Sequence, residues 1–224
     1  MTSHQAHNLL ISAQDLTWGY PNAPTMVFHR FSFGLYKNDF CLVTGASGSG
    51  KSTLAKLILR QYAIPKKMLY HKQEDMAKYT DAEVQLFRRK VGVVFQDYKL
   101  IERKTVLENI MYPLAIINSP LGFKKSRLNQ ILDIVGLHGY DNRIVQYLSG
   151  GEKQKVAIAR ALIHNPDFII ADEPTGNLDP TNAKKIADIF IQLNTMGHTI
   201  LMITHNMDIK DYISNKTQTR EWTL

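Results

Sequence analysis

Two short stretches of this 224-residue chain carry residue types that can do chemistry on a phosphate. The first is Gly45-Ala46-Ser47-Gly48-Ser49-Gly50-Lys51-Ser52-Thr53, which fits G-x-x-x-x-G-K-[ST]. Its glycines let backbone N–H groups wrap phosphate oxygens, and a helix opening at Lys51 adds favourable partial positive charge. Lys51 can reach the β- and γ-phosphates of a nucleotide, and Ser52 offers a hydroxyl for Mg²⁺. A plain glycine-rich turn would share this composition. It would not also follow an apolar strand and open a helix, and that context favours a phosphate-binding loop.

The second stretch, Leu148-Ser149-Gly150-Gly151-Glu152-Lys153-Gln154, lies far from that loop. Ser149 and Glu152 have the spacing of a capping box, so the stretch opens a helix. A helix start alone would explain it. It also exposes N–H groups with no Cβ at two positions, which suits a γ-phosphate.

Four more residues stand at the ends of three strands. Asp172 and Glu173 close the apolar run Phe168–Ala171 and so lie at the ligand edge of an open α/β sheet. Asp172 is placed to hold Mg²⁺ and Glu173 to polarise an attacking water, although an acidic pair there is as often a helix cap. Gln96 follows Val91–Phe95, where its amide could meet Mg²⁺ and the water. His205 follows Ile200–Ile203, within expected reach of a γ-phosphate. Tyr20, beside Trp18, could stack on adenine or simply be a surface or core aromatic.

The elements that must position these residues alternate between β-rich and helical segments, which argues for an α/β sheet with crossovers. Phe40–Thr44 reads as a strand, and Lys51 to about Arg60 as a helix with Leu54, Leu57 and Ile58 on one face. Thr80-Asp81-Ala82-Glu83 should open a short helix reaching Arg88-Arg89. Residues 105–117 and 126–136 read as helices broken near Pro113 and Pro120, forming a middle helical lobe. The last ten residues are polar, with room for a short edge strand.

Composition narrows the class. With 44% apolar residues the chain can bury a full core. No apolar run reaches the roughly 18 residues that a membrane span needs. Met1–Gln14 lacks the layout of a secretory signal. Cys41 is the single cysteine, set among Phe40, Leu42 and Val43, which reads as a buried strand residue in a reducing compartment. The formal charge of +7 could attract nucleic acid or an anionic membrane surface. The basic residues are dispersed and lack interleaved aromatics, so no specific nucleic-acid partner is expected.

Tyr20, the 45–53 loop, Gln96, residues 148–154, 168–173, Asn177-Leu178-Asp179 and His205 occur in the order of the ATP-binding cassette (ABC) ATPases, which this chain resembles along nearly its whole length. The resemblance implies a single domain over 1–224 with a RecA-like P-loop core, an antiparallel β part and a helical lobe. The core would take residues 1–97 and 160–224, and the lobe 98–159. It implies ATP and Mg²⁺ as ligands, with Ser52, Gln96 and Asp172 toward the metal. Glu173 would be the catalytic base, His205 the γ-phosphate switch and Gln96 a contact to the attacking water. A homodimer would form on ATP binding, each P-loop facing the partner's Ser149, Gly150, Gly151 and Glu152. Asn177–Asp179 would contact the other subunit.

Within the family, the strings Val91–Leu100 and Arg103–Asn109, with Asp97 after the glutamine, resemble the bacterial cell-division branch. That branch implies an integral membrane partner in a separate chain, a place on the cytoplasmic face of the membrane, and control of cell-wall hydrolysis. Tyr98, Leu100 and Ile101 are candidates for the partner contact. Asp172–Asp179 is shared with lipoprotein-release and macrolide-export branches, which keeps an export role open. The departure lies in residues 61–90. The family's hairpin there turns on glycine, this chain has none between Gly50 and Gly92, and Lys66-Lys67 stand where a turn could fall.

Overall fold

Strand β3 (Phe40–Thr44) is buried at every position. Such a run without polar alternation suits a strand covered on both faces. Val91–Val94 (β6), Phe168–Asp172 (β7), Ile200–Ile203 (β8) and Arg220–Thr223 (β9) join it in one parallel sheet of order β6-β7-β8-β3-β9. The computed structural model describes residues 8–116 and 121–224. Residues 1–7 of the segment read above for a secretory signal lie outside these, as does the break expected near Pro120.

Side chains of β3 alternate between two cores. Phe40 and Leu42 pack with the helices Val106–Ile116 (α3), Leu121–Val135 (α4), Gly150–Leu162 (α5), Pro180–Thr195 (α6) and Met207–Ser214 (α7). Cys41 and Val43 pack on the other side with helix α1 (Lys51–Ile58) and a second, antiparallel sheet. That sheet has the order β2-β1-β4-β5, from Leu9–Trp18 (β1), Phe28–Tyr36 (β2), Leu69–His71 (β4) and Glu74–Asp75 (β5). Burial pushes the Cys41 thiol far above the ordinary range, so it is an inert core residue.

Helix starts are fixed locally. Helix α2 (Asp81–Arg88) opens on a capping box of Thr80 and Glu83, and α5 on one of Ser149 and Glu152. Thr105 and Glu108 make the same reciprocal pair of bonds at the head of α3. Asp179 accepts from the N–H groups of Thr181 and Asn182 at the start of α6, with Pro180 following it. Helix α3 runs through Pro113 rather than breaking there. The ring removes a helical hydrogen bond, and burial of Val106, Ile110 and Leu114 offsets that cost.

The segment without glycine forms its hairpin nonetheless. The β4–β5 turn falls at Lys72 and Gln73, both with positive φ (48° and 71°), while Lys66-Lys67 lie in a separate turn just ahead of β4, Lys67 at φ 61°. Two left-handed residues are what a tight hairpin turn demands, and lysine and glutamine meet that demand at a steric cost. Pairing of β4 with β1 holds the geometry, and the Asp75 carboxylate adds to it by accepting from the N–H groups of Lys67 and Ala77.

His71 ends β4, with Nδ1 3.0 Å from the Tyr79 hydroxyl. Burial, then the charge of Lys72, pushes its imidazole down to about 4. The folded state therefore holds the neutral ring, whereas the unfolded chain protonates near the ordinary 6.5. The stability this contributes is complete above 6.5 and is lost as pH falls from there toward 4. Melting curves between pH 7 and 4.5 should fall less steeply for His71→Phe than for the natural chain, by roughly 5 °C over the window. Parallel curves would dismiss the buried imidazole as the cause.

Candidate functional site

Parallel pairing brings the separate motifs to one edge. Val43 is level with Ile203, Asp172 with Ile203, and Val94 with Ala171. The residues that follow these strands therefore emerge side by side at the carboxyl end of the sheet. They line a cleft of ≈ 460 Å³ that includes Tyr20, Ser47, Gly48, Gly50, Lys51, Ser52, Thr53, Gln96, Glu173 and His205.

The loop between β3 and α1 needs glycine at two of these positions. Gly48 has φ 82° and nothing within 4 Å of where a Cβ would stand, so its backbone faces open space. Gly50 has φ 102°, and a Cβ there would lie 2.4 Å from Val27 Cγ1. Lys51, a residue only 7% exposed, donates its ammonium to the Gly45 carbonyl at 2.9 Å and the Ala46 carbonyl at 2.7 Å. It braces the loop from within and is the charge that a phosphate would compete for. Arg88 fixes the far end of α1, donating to the carbonyls of Leu59 and Arg60.

Ser52 Oγ donates to Asp172 Oδ1 at 2.9 Å. Burial raises the Asp172 carboxyl above the usual carboxylate range, with the Ser52 bond opposing and the Glu173 charge reinforcing the rise. Lys56 and Lys51 also oppose the rise without cancelling it, so this half-buried carboxylate favours a cation or a proton. A hydroxyl, a carboxylate and the Gln96 amide form a hard-oxygen donor set that fits Mg²⁺. Among the described residues no cluster of three or more His, Cys, Asp or Glu could hold a metal by itself. That also suits an ion which takes one or two protein carboxylates and completes its shell with phosphates and water.

Glu173 is 8% exposed and sits in left-handed backbone, φ 49°, with its N–H bonded to the Ile203 carbonyl at 3.0 Å. A non-glycine residue in this region costs on the order of 1 kcal/mol and persists where its surroundings fix it. Its Oε1 is 2.7 Å from His205 Nδ1, while Oε2 is buried without a partner. The Ser49 and Thr175 hydroxyls are likewise buried and unpartnered. Of these three residues only Glu173 lines the cleft.

Tyr20 stands at the lip, its hydroxyl 2.7 Å from Thr53 Oγ1. Its ring lies edge-on to both Trp18 and Tyr62. Tyr62 gives no signal in the sequence, because it follows a helix end with no pattern around it.

Ser149, Gly150, Gly151 and Glu152 do not line this cleft. Glu152 accepts from the Ser149 N–H at 2.8 Å and its hydroxyl at 2.7 Å, which holds the Glu152 carboxyl below its ordinary range. Gly150 neighbours Tyr98, Leu178 and Asn177. Asn177 itself donates to the Gln96 carbonyl at 3.0 Å. Asp179, read above as a contact to another subunit, spends its carboxylate on capping α6.

The ABC transporter family model matches residues 28–176. The cell division ATP-binding protein FtsE of Streptococcus pneumoniae serotype 2 is 41% identical over 207 residues, 92% of this chain and 90% of that protein. FtsE of Bacillus subtilis is 38% identical over 200 residues, 89% and 87% of the two chains. The dimeric structure of MJ0796, a bacterial ABC transporter cassette, superposes with a TM-score of 0.80 at 29% identity, covering 96% of this chain and 94% of that one. With matches that span the P-loop, the acidic strand end and the sheet that joins them, the chain belongs to the ABC transporter family, as an ATPase subunit closely related to FtsE.

Proposed function

We propose that this chain is the ATP-hydrolysing half of a membrane complex of the FtsE kind, in which two copies close over ATP at the cytoplasmic face of the membrane. The observation that carries the reading is the division of the motifs. The cleft gathers the P-loop with Gln96, Glu173 and His205, whereas residues 149–152 stand apart from it. A second copy supplies what the first leaves open, an arrangement supported by the dimeric cassette reported above.

In this reading the backbone of residues 45–50 and Lys51 hold the phosphates, Ser52 and Thr53 stand at the helix N-terminus, and Tyr20 covers adenine. Ser52, Asp172 and Gln96 would hold Mg²⁺, which when bound neutralises charge on the β- and γ-phosphates. Glu173 accepts a proton from the attacking water, and its backbone strain and the His205 contact fix the carboxylate. His205 also answers to the γ-phosphate. Ser149 and the N–H groups of Gly150 and Gly151 meet the γ-phosphate of the partner copy, with Glu152 holding the helix start in shape.

The partner is an FtsX-like integral membrane protein, and ATP cycling would regulate cell-wall hydrolysis during division. No helix among the described residues is long and apolar enough to cross a membrane, and in this reading the partner chain supplies the span. An apolar groove between α2 and α3, lined by Gln85, Arg89, Pro113, Ile116 and His164, offers it a seat. Leu86, Tyr112 and Ile116 are exposed beside it. Ile101 is exposed as well, while Tyr98 and Leu100 pack against the core. The lipoprotein-release or macrolide-export reading keeps every residue role and changes only the partner.

The experiment is co-purification of the Glu173→Gln chain with ATP from detergent-solubilised native membranes. Recovery of an FtsX-like protein is expected. Recovery of a release or export permease instead would move the chain to that branch.

A further inference from the structure

The segment that joins Gln96 to α3 is held in an unusual way. Tyr98 and Lys99 are consecutive non-glycine residues in left-handed backbone, φ 60° and 51°. Each such residue costs on the order of 1 kcal/mol, and two in succession do not persist unless something holds them. That something is Arg160 of α5, whose Nη2 donates to the Tyr98 carbonyl at 2.6 Å and Nη1 to the Lys99 carbonyl at 2.5 Å. A guanidinium fork spans two neighbouring carbonyls as no other side chain can.

The same segment is pinned on both flanks. Asn177, from the loop after β7, donates to the Gln96 carbonyl. Asn109 of α3, 1% exposed, accepts from the Ile101 N–H at 2.8 Å and donates to the Ile101 carbonyl at 3.1 Å. In addition, the Tyr98 hydroxyl lies 3.2 Å from where a Gly150 Cβ would stand. The strap from Gln96 to Ile101 is thereby tied to the helix that carries Ser149-Gly150-Gly151.

We infer that Arg160 is a positioning residue for the ATPase reaction: it holds Tyr98 and Lys99 in strained backbone so that Gln96 enters the cleft only when α5 is in place. This rests on the reading of Gln96 given above, since Arg160 acts through that side chain and touches no nucleotide. The flanking bonds fix the ends of the strap and the two charge-assisted bonds hold its strained middle, so their loss should displace Gln96 without unfolding either core. A shift in α5, such as closure against a second copy would bring, then reaches Gln96 directly through one side chain. The coupling element is physical, a strained strap with a defined holder.

The test is Arg160→Lys in the full chain, which keeps the charge and the stem but loses the fork. ATP turnover should fall about tenfold with the KM for ATP changed less than about twofold, because the P-loop, Lys51 and Tyr20 that hold the nucleotide are untouched. Full turnover by the lysine variant would overturn the inference, as would a loss confined to KM. Adding Lys99→Gly to Arg160→Lys should restore at least half of the lost rate, because glycine takes left-handed backbone without a holder. Should Arg160→Lys fail to fold, a cooperative melt regained in the double variant gives the same support. A double variant that recovers neither rate nor fold overturns the strained-strap account.

A second readout does not need turnover. The amides of Tyr98, Lys99 and Ile101 are hydrogen-bonded, so their hydrogen exchange reports the strap itself. Exchange roughly tenfold faster in Arg160→Lys, with β-sheet amides unchanged, is expected. Unchanged exchange at 98–101 removes the clamp whatever the ATPase assay reads, whereas absent turnover in the natural chain with fast exchange in the variant would fault only the catalytic reading.

Discussion

Glu173→Gln should reduce ATP turnover by on the order of 10²- to 10³-fold, the span expected when a general base is removed, while leaving ATP affinity within about threefold. Glutamine keeps the volume and can keep the contact to His205, but it cannot take a proton from water. The variant should also melt higher in the absence of nucleotide. Glu173 is a buried carboxylate with Oε2 unpartnered beside Asp172, whose own carboxyl is already raised by burial and by the Glu173 charge. Replacing one of these charges by an amide relieves both costs, worth a gain of about 2–4 °C. With ATP and Mg²⁺ present, size-exclusion chromatography should show a species of twice the mass, because closure proceeds and the step that reopens it does not. Natural turnover in the variant would withdraw Glu173 as the base. A monomer under saturating ATP would count against a site completed by a second copy.

The features of the site that the sequence marks are the local ones. The P-loop was legible because its glycine spacing, the preceding strand and the following helix lie within a few residues of one another. The capping boxes at Thr80 and Ser149 were legible for the same reason, since a hydroxyl and a glutamate three positions on close a bond that depends on little else. The parallel order of the sheet was legible only as a class. What brings Gln96, Glu173 and His205 into one cleft is the register of β6, β7, β8 and β3, and register is set by packing over long sequence separations.

The features that stayed out of reach share another cause. Lys72, Gln73, Tyr98, Lys99 and Glu173 all have positive φ, and none belongs to the residue types that announce it. Tertiary contacts hold each of them there, so the sequence carries no local mark. Arg160 is the clearest instance. Between Ala159 and Ala161 on an amphipathic helix it reads as a charge at the boundary of the apolar stripe, and only the folded chain places carbonyls from residues 61 and 62 positions away against its fork. Pro113 erred in the other direction, with a strong local signal for a break that burial on α3 overrode.

Lys51→Ala should lower ATP affinity on the order of a hundredfold or more, and turnover with it. The size follows from the charge balance of the cleft. Among the described residues that line it, Lys51 is the sole lysine or arginine, and Glu173 faces the same space. Asp172 lies behind Ser52, and Lys51 is one of the two lysine charges that act on it. Without the ammonium, phosphates would meet two carboxylates with only His205 and a bound cation to compensate. Stability should change far less than binding. The substitution leaves the carbonyls of Gly45 and Ala46 without their donor, a loss partly offset because an ammonium no longer has to be buried. Lys51→Met separates the two effects, since it keeps the aliphatic stem that packs in the loop and removes only the charge. Both variants should retain a cooperative melt within a few degrees of the natural chain and fail to bind a fluorescent ATP analogue at concentrations that saturate it. An affinity within about threefold of the natural value in Lys51→Met would mean that the loop backbone and helix N-terminus hold the phosphates unaided, and the ammonium would then be a brace for the loop rather than a ligand.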